Sequence, residues 1–263
     1  MNSDVAINAS DLYFYYVTPK KAPLFKSIKL PLKKMVLEKN VALDHVNVQV
    51  RSRRITALLG RNGSGKTTLI KLITGVRLPH GGNISVFGLE PTQIRHRLGL
   101  CLGSTLIFHR LTARENLEYF GKLYGVHNLD NRINELAEML ELSEHLEEIV
   151  EAFSFGMKAK LAIARALIHS PDLLILDEPT LGIDLQLATQ IRKFIRSLKC
   201  TVLFTSHYME EAETLADDLV LIDKGHVLDF GDKKSVQAKY GVTTVPEVFS
   251  AAVHSHRALR AAS

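Results

Sequence analysis

Tryptophan is absent from the sequence and cysteine is scarce, since Cys101 and Cys200 lie far apart and outside any CxxC motif. We interpret both as small apolar residues in a reducing compartment. Long apolar runs are missing too, because no stretch reaches the roughly 18 uninterrupted apolar residues that span a bilayer. The first residues, Met1–Asp4, lack the basic and then apolar pattern of a secretory signal. We therefore expect a cytoplasmic protein that reaches a membrane only through a partner.

An excess of charge of one sign is nearly absent as well. The net charge is +5, with 23% charged and 46% hydrophobic residues, as in an ordinary globular protein. This mild positive charge suits an anionic ligand or a lipid surface, but does not by itself indicate nucleic acid. The 263 residues suffice for one sizeable core with a subdomain, or for two small domains.

Short apolar runs alternate with amphipathic stretches along most of the chain, which favours an α/β core with a central, largely parallel sheet. Strands are predicted near 5–9, 41–50, 55–59, 83–87, 98–102, 173–176, 201–205, 219–222 and 226–229. Helices are predicted over 67–74, 113–124, 132–140, 156–167, 185–198 and 209–216. The early strands have no helices between them and indicate an antiparallel layer. The mainly helical stretch 106–151 indicates a helical subdomain inserted into the core.

A basic segment stands out between residues 19 and 39, with seven lysines, three prolines and one glutamate. Four apolar residues lie at helical spacing between these lysines, although Pro31 would interrupt a single helix. One interpretation is a solvated basic loop. The alternative is a short amphipathic piece that contacts the membrane surface through anionic lipid, or contacts a membrane partner.

A phosphate-binding motif follows the apolar strand at 55–59, because Gly60–Thr67 fits GxxxxGK[ST] in full. Its glycines let successive backbone N–H groups converge on phosphate oxygens, and the following helix adds a positive N-terminus. Lys66 is expected to reach the β- and γ-phosphates, and Thr67 to offer its hydroxyl to Mg²⁺. The chain is thus predicted to bind ATP. The predicted ATP-binding residues here are Gly60, Arg61, Asn62, Gly63, Ser64, Gly65, Lys66, Thr67 and Thr68.

A second, acidic site follows the apolar strand at 173–176, which ends in Asp177 and Glu178. Neighbouring strand residues point to opposite faces, and ligands bind at strand ends in such sheets. Asp177 is predicted to hold Mg²⁺ through water. Glu178 is predicted to orient or deprotonate the attacking water.

With these motifs in place, residues 11–240 resemble the ATP-binding subunits of ABC transporters. The discriminating stretch is Phe153–Leu161, some twenty residues before Asp177, which looks like the signature usually written LSGGQ. Ser154 and the second glycine, Gly156, are kept. The resemblance implies an α/β P-loop NTPase core with a central mostly parallel sheet, an N-terminal antiparallel β subdomain and an inserted helical subdomain.

The signature also implies an ATP-dependent homodimer. In the family, this serine hydroxyl and helix N-terminus are presented to the γ-phosphate held by the other subunit. Ser154, Gly156 and Met157 would therefore complete a partner's site rather than their own. The motif departs from the family pattern at Phe155, which replaces the first glycine, and at Met157, which replaces the glutamine.

Three further positions match the family. Asp184, in Leu181–Asp184, resembles the D-loop that crosses the dimer interface. His207 resembles the switch histidine that contacts the γ-phosphate, so Glu178, His207 and Lys66 are the candidate catalytic residues. The family stacks adenine on an aromatic residue near the N-terminus, and among residues 13–16 the spacing favours Tyr16.

The family's usual glutamine, which contacts Mg²⁺ and signals to the membrane subunit, is missing. Gly103 or Ser104 stands in its place. The stretch 108–116 is similar to exporters of polysaccharides and lipid-linked polymers, and to related drug and ion exporters. Residues 177–180 instead have the commoner ABC form, so the resemblance leaves the subgroup open.

By this resemblance, residues 1–242 form an ABC-type ATP-binding domain with its helical subdomain at about 104–160, followed by a short C-terminal tail, 243–263. The favoured function is the ATPase motor of an exporter, on the cytoplasmic face of the membrane and bound to an integral membrane permease near 106–124. The substrate would be a polysaccharide or lipid-linked polymer, or alternatively a drug or an ion. A soluble ABC-type ATPase acting on nucleic acid or ribosomes, and a regulatory subunit with an inactive site, are the rival hypotheses. Nucleic acid is disfavoured because no second ATP domain or coiled coil is present.

Overall fold

The computed structural model describes residues 4–19, 37–102 and 106–262. The strands are β1 (Val5–Pro19), β2 (Leu37–Arg51), β3 (Ile55–Leu59), β4 (Gly81–Val86), β5 (Leu98–Leu102), β6 (Leu173–Asp177), β7 (Thr201–Ser206), β8 (Asp218–Asp223) and β9 (His226–Asp232). The helices are α1 (Lys66–Ile73), α2 (Ala113–Leu123), α3 (Leu129–Met139), α4 (Phe155–Leu167), α5 (Leu185–Ser197), α6 (Met209–Leu215), α7 (Lys233–Tyr240) and α8 (Val245–Ala262). Three short 3₁₀ turns lie at Arg95–Arg97, Ser143–His145 and Val150–Ala152.

The central sheet has the strand order β5-β6-β7-β3-β8-β9. Its first five strands are parallel, and β9 pairs antiparallel with β8. Every residue of β3 and β7 is buried, because layers cover both faces of the sheet, and this explains their unbroken apolar or small residues. The predicted, largely parallel sheet is confirmed. The carboxyl ends of β3, β6 and β7 consequently meet at one edge, where ligands of such sheets bind.

A second sheet, ordered β2-β1-β4, is antiparallel throughout and confirms the predicted N-terminal layer. Leu12 and Leu43 of this sheet are fully buried and pack with Leu69 and Leu72 of α1. Leu58 of β3 belongs to the same cluster. The helix that follows the phosphate loop is therefore held between two sheets.

The opposite face of the central sheet packs against the helices, including the predicted helical subdomain. Leu117 of α2, Ile133 of α3 and Leu161 of α4 are fully buried in one cluster with Leu59 of β3. Helix α2 starts with a capping box, in which Thr112 accepts from the Glu115 amide and Glu115 accepts from the Thr112 amide. The predicted helical insertion is thus confirmed and shares the core of the sheet.

The C-terminal segment differs from the sequence analysis, which assigned no element after residue 242. Helix α8 buries Val245, Val248, Phe249 and Ala252, at the spacing of one helix face. Thr244 and Glu247 exchange hydrogen bonds at its start, as in a capping box. The residues beyond 242 therefore extend the hydrophobic core.

Both cysteines lie in or beside the central sheet. Burial raises the pKa of the Cys101 thiol and of the Cys200 thiol to about 11. Neither thiol is a nucleophile at neutral pH, because the reactive species is the thiolate.

A charged network fastens the start of β3 to β8. The Asp218 carboxylate is almost fully buried and accepts hydrogen bonds from the guanidinium groups of Arg51 and Arg54, including Arg54 Nη2 to Oδ1 at 2.8 Å. Both arginines also reach Asp232, which caps α7. Since β3 leads directly into the phosphate loop, this network anchors the strand that positions it.

Replacing Asp218 by asparagine is expected to lower the free energy of unfolding by about 2–3 kcal/mol, because two guanidinium groups lose a buried anionic partner. Urea unfolding followed by circular dichroism measures the change. The matched control is Asp172→Asn, whose carboxylate is half exposed and pairs with Arg97 at 2.6 Å. That change should cost less than about 1 kcal/mol. Equal losses in the two variants would contradict the anchoring role of Asp218.

Candidate functional site

At two positions of the loop between β3 and α1, the path of the backbone leaves no room for a side chain and so requires glycine. A Cβ at Gly60 would lie 2.3 Å from the carbonyl oxygen of Ile222. Gly65 has a φ of 111°, and a Cβ there would lie 2.8 Å from the carbonyl oxygen of Ala42. Side chains at either position would force β8 or β2 away. The motif glycines thus let the loop curl tightly between neighbouring segments.

Lys66 lies at the first turn of α1 and is only 7% exposed. Its Nζ donates to the carbonyl oxygens of Gly60 at 2.6 Å and Arg61 at 3.3 Å, so the side chain folds back over its own loop. Burial lowers its pKa, and this is opposed by the nearby charges of Glu178 and Asp177. The ammonium has three donors, so it can hold the loop and still face an anion.

The loop opens into a pocket of about 400 Å³. The lining residues come from β1, β2, the loop, α1 and the end of β6, namely Tyr16, Asn40, Val41, Ala42, Asn62, Gly63, Ser64, Gly65, Lys66, Thr67, Thr68, Asp177 and Glu178. The Ser64 hydroxyl is buried and has no hydrogen-bond partner within the described part of the chain. A buried polar atom without a partner is costly, so the site suits a ligand rich in oxygen. The N-terminus of α1 adds partial positive charge for phosphate.

Among the four N-terminal aromatic residues, Tyr16 is the one that lines this pocket. Its hydroxyl lies 3.3 Å from Thr68 Oγ1, and Phe14 packs against its ring in an edge-to-face contact. Tyr15, by contrast, stacks on His80 at a centroid distance of 3.9 Å. The ring of Tyr16 therefore lies beside the first turn of α1, and its contact with adenine stays a prediction.

The acidic pair at the end of β6 is held by Thr205 on the neighbouring strand β7. The Thr205 hydroxyl donates to Asp177 Oδ1 at 2.5 Å and accepts from the Glu178 amide at 3.0 Å. Thr205 is fully buried. No role is predicted for Thr205 from the sequence. Its only signal was its place just before His207, because the contact depends on β6 and β7 being neighbours in the sheet.

Glu178 and His207 lie together at this edge of the sheet. Glu178 Oε1 lies 3.1 Å from His207 Nδ1, but the angle between the two groups is unsuited to a hydrogen bond. The Nδ1 atom is buried and has no hydrogen-bond partner among the described residues. Glu178 also has a φ of 52°, in the left-handed region that few non-glycine residues adopt. Such local strain is typical of functional sites. The structure thus brings together two of the three predicted catalytic residues, with the third across the pocket.

The signature residues lie elsewhere and do not line the pocket. Ser154 is exposed and caps α4, accepting from the Met157 amide at 3.2 Å. Gly156 is buried, and a Cβ there would lie 2.1 Å from the Cδ2 atom of Leu187 on α5. Asp184 caps α5 by accepting from the Leu187 amide at 2.9 Å. The predicted signature and D-loop are therefore side by side in one chain, apart from that chain's phosphate loop.

Thr67 and Asp177 both face the pocket, and their hydroxyl and carboxylate oxygens are ligands that Mg²⁺ prefers. No cluster of three or more histidine, cysteine or acidic side chains able to hold a metal occurs in residues 4–19, 37–102 and 106–262. The donor set therefore fits an ion that the nucleotide phosphates help to coordinate, as is usual for Mg²⁺. Gly103 and Ser104, at the position of the missing glutamine, lie outside the described residues, as do residues 20–36 of the basic segment.

Comparison with known proteins places this site in a family. A family model described as ABC transporter matches residues 43–181. The ABC transporter ATP-binding protein NatA of Bacillus subtilis (strain 168) is 38% identical over 205 residues, which cover 74% of this chain and 83% of that relative. The bacitracin transport ATP-binding protein BcrA of Bacillus licheniformis is 39% identical over 210 residues, which cover 76% of this chain and 68% of that protein.

The fold is also found among solved structures. A structure described as an ATP-binding subunit of an ABC transporter superposes with a TM-score of 0.77, covering 94% of this chain and 99% of that chain. Its sequence identity is 24%, so this likeness concerns the fold. With the family match over 43–181 and the two relatives, the chain is shown to belong to the ABC transporter family, as one of its ATP-binding, ATP-hydrolysing subunits.

Proposed function

We propose that the chain is the ATPase motor of an exporter, and that two copies enclose two ATP molecules between them. The observation that supports this most directly is the separation of Ser154 from the pocket of its own chain. In the proposed dimer, Ser154 and Gly156 of one copy face the γ-phosphate on the Gly60–Thr67 loop of the other. The exposed N-terminus of α4 supplies partial positive charge to that phosphate.

The proposed chemistry is attack of water on the γ-phosphate. Such transfers depend on positioning and charge neutralisation, because the protein forms no covalent bond. Lys66 would neutralise phosphate charge, and Mg²⁺, held through Thr67 and Asp177, would add to this when bound. Glu178 would accept a hydrogen bond from the water, and His207 would contact the γ-phosphate at its side. Their proximity supports this division of roles.

The proposed contact with the membrane permease is the surface around α2. Phe108, Tyr119 and Leu123 are each more than two-fifths exposed, and Phe108 and Tyr119 pack edge to face at 5.0 Å. A cluster of exposed large apolar residues is typical of an interaction site. None of the helices in the described ranges has both the length and the apolar character needed to span a bilayer. The proposed location is peripheral, on the cytoplasmic face of the membrane, where the permease contact would hold the protein.

The proposed substrate is a drug-like compound. The bacitracin transport protein named above supports this alternative over the polysaccharide or lipid-linked polymer that the sequence analysis favoured. Transport assays in membranes that contain this chain and its permease would test the proposed substrate class, with drug-like compounds and polymers offered in competition. Export of bacitracin, with no export of a polymer, is the expected outcome.

A mixing experiment tests the shared site. Lys66→Ala damages the phosphate loop, whereas Ser154→Asp keeps a good helix cap but places a carboxylate against the partner's γ-phosphate. Each variant alone should be inactive. An equal mixture should recover about a quarter of the wild-type turnover, because half of its dimers are mixed and each mixed dimer has one undamaged site. ATP hydrolysis measured by phosphate release gives the result.

The matched control for the mixing experiment is Ser143→Asp, at an exposed serine of a 3₁₀ turn in the same subdomain. This variant should hydrolyse ATP at the wild-type rate both alone and in mixtures. A mixture of the two damaged chains that stays as inactive as each alone would contradict the shared site.

A further inference from the structure

A partly buried hydrogen bond joins two segments that leave the central sheet side by side. Thr180, three residues after β6, donates its hydroxyl to Glu211 Oε1 at 2.6 Å. Glu211 lies in the first turn of α6 and is only 5% exposed. A buried carboxylate needs hydrogen bonds that offset its lost hydration. The hydrogen bond therefore stabilises the contact between two segments that are 31 residues apart in sequence.

Each end of this link lies close to a residue of the proposed reaction. Thr180 follows Glu178 by two residues, in a turn closed by the Leu181 amide donating to the Glu178 carbonyl at 3.1 Å. Glu211 follows His207 by four residues. The two side chains of the proposed reaction are 3.1 Å apart, yet they make no hydrogen bond to each other. Their separation therefore depends on the backbone segments that carry them, in addition to any charge attraction between Glu178 and a protonated His207.

Helix α6 is itself held from its other side. Glu213 Oε2 accepts from the Val245 amide at the start of α8 at 2.6 Å, and Glu213 Oε1 accepts from Gln237 of α7 at 3.3 Å. Lys233 donates to the Glu213 carbonyl. With α6 fixed by the two C-terminal helices, Glu211 offers Thr180 a stationary point of attachment.

We propose that Thr180 and Glu211 are positioning residues for hydrolysis, and that their hydrogen bond fixes Glu178 at its working distance from His207. This rests on the roles given to Glu178 and His207 in the proposed function. Neither Thr180 nor Glu211 lines the nucleotide pocket. Breaking the bond should therefore slow the chemical step without changing how ATP is bound.

The test compares variants that break the bond with variants that keep it. Thr180→Val and Glu211→Met remove the donor or the acceptor at similar volume, and each should lower kcat about tenfold, since small misplacements near a reacting group have effects of this order. Thr180→Ser and Glu211→Gln keep a hydroxyl donor and an oxygen acceptor, so both should stay within about twofold of wild type. The KM for ATP should change less than about twofold in all four variants.

A double variant separates positioning from stability. Each single breaking variant leaves a buried polar group without its partner and should lower the thermal midpoint. Thr180→Val with Glu211→Met replaces both partners by apolar groups, which is often nearly neutral for stability. The double variant should therefore regain much of the midpoint but keep the tenfold loss of kcat. A kcat that recovers together with the midpoint would overturn the proposal.

Two controls complete the experiment. Glu210→Met makes the same change at the exposed neighbouring position and should leave kcat unchanged. Glu178→Gln is measured in parallel. If Glu178→Gln abolishes turnover while Thr180→Val keeps it, the link is wrong and the proposed function stands. If Glu178→Gln keeps wild-type turnover, the role given to Glu178 in the proposed function fails and the positioning role fails with it.

Discussion

Replacing Lys66 by alanine is expected to abolish measurable ATP turnover and to weaken ATP binding by about 100-fold or more. The ammonium is the buried cation of the pocket loop, and a charge-assisted contact to phosphate in such a place is among the strongest single interactions available. The change also deletes the two bonds by which Nζ ties the carbonyl oxygens of Gly60 and Arg61 together. Both losses act on the same loop, so binding and hydrolysis should fail together.

Equilibrium binding of a fluorescent ATP analogue and a phosphate-release assay measure the two effects of Lys66→Ala. The matched control is Lys199→Ala, at an exposed lysine two residues before β7, at the opposite edge of the sheet. That variant should bind and hydrolyse ATP like the wild type. Turnover within about tenfold of wild type in Lys66→Ala would contradict the role of the loop, given that lost transition-state contacts of this kind cost about 100-fold.

Replacing Glu178 by glutamine should lower turnover by about 100-fold or more while leaving ATP bound, because the amide keeps the side chain's size but cannot act as a base. The Glu178 amide stays attached to Thr205 at 3.0 Å, so the strand end should keep its shape. In the proposed mechanism, a chain that binds ATP without hydrolysing it should remain in the closed, two-chain form. Size-exclusion chromatography with ATP and Mg²⁺ should show a stable dimer, and denatured dimer should release intact ATP.

The control for Glu178→Gln is Glu210→Gln, at the exposed position beside Glu211. It should hydrolyse ATP normally and elute as the wild type does. A Glu178→Gln protein that neither dimerises nor retains ATP would refute the sandwich mechanism. Normal hydrolysis by Glu178→Gln would instead refute the role given to this carboxylate.

Much of the fold was predictable because its signals are local. The buried parallel strands appear as short apolar runs, and the phosphate loop is one contiguous motif between a strand and a helix, so Gly60–Thr67 needed no knowledge of tertiary structure. Helix α8 was missed although Thr244 and Glu247 form a capping box before an apolar face. The local signal for this helix is therefore present in the sequence.

The contacts that were not predicted join residues brought together by strand order. Asp177 and Thr205 meet because β6 and β7 are adjacent in the sheet. A helix separates the two strands in the sequence, so the sequence alone does not show that they are neighbours. Thr180 and Glu211 meet for the same reason, three residues beyond β6 and five residues beyond β7. Sequence spacing favoured Tyr16 for the adenine contact, and its place in the pocket is consistent with this prediction.

The two adjacent signature positions differ in what surrounds them, and this makes them unequal targets for evolution. Phe155 is 53% exposed and its ring lies beside Gly182 of the same chain, so replacing it mainly alters the exposed surface near Leu181–Asp184. A side chain at position 156 could enter only by displacing Leu187 of the same chain. In the proposed dimer, a substitution at position 155 would therefore adjust how tightly two copies associate while each copy keeps its fold. A substitution at position 156 would first require the Leu187 side chain to move.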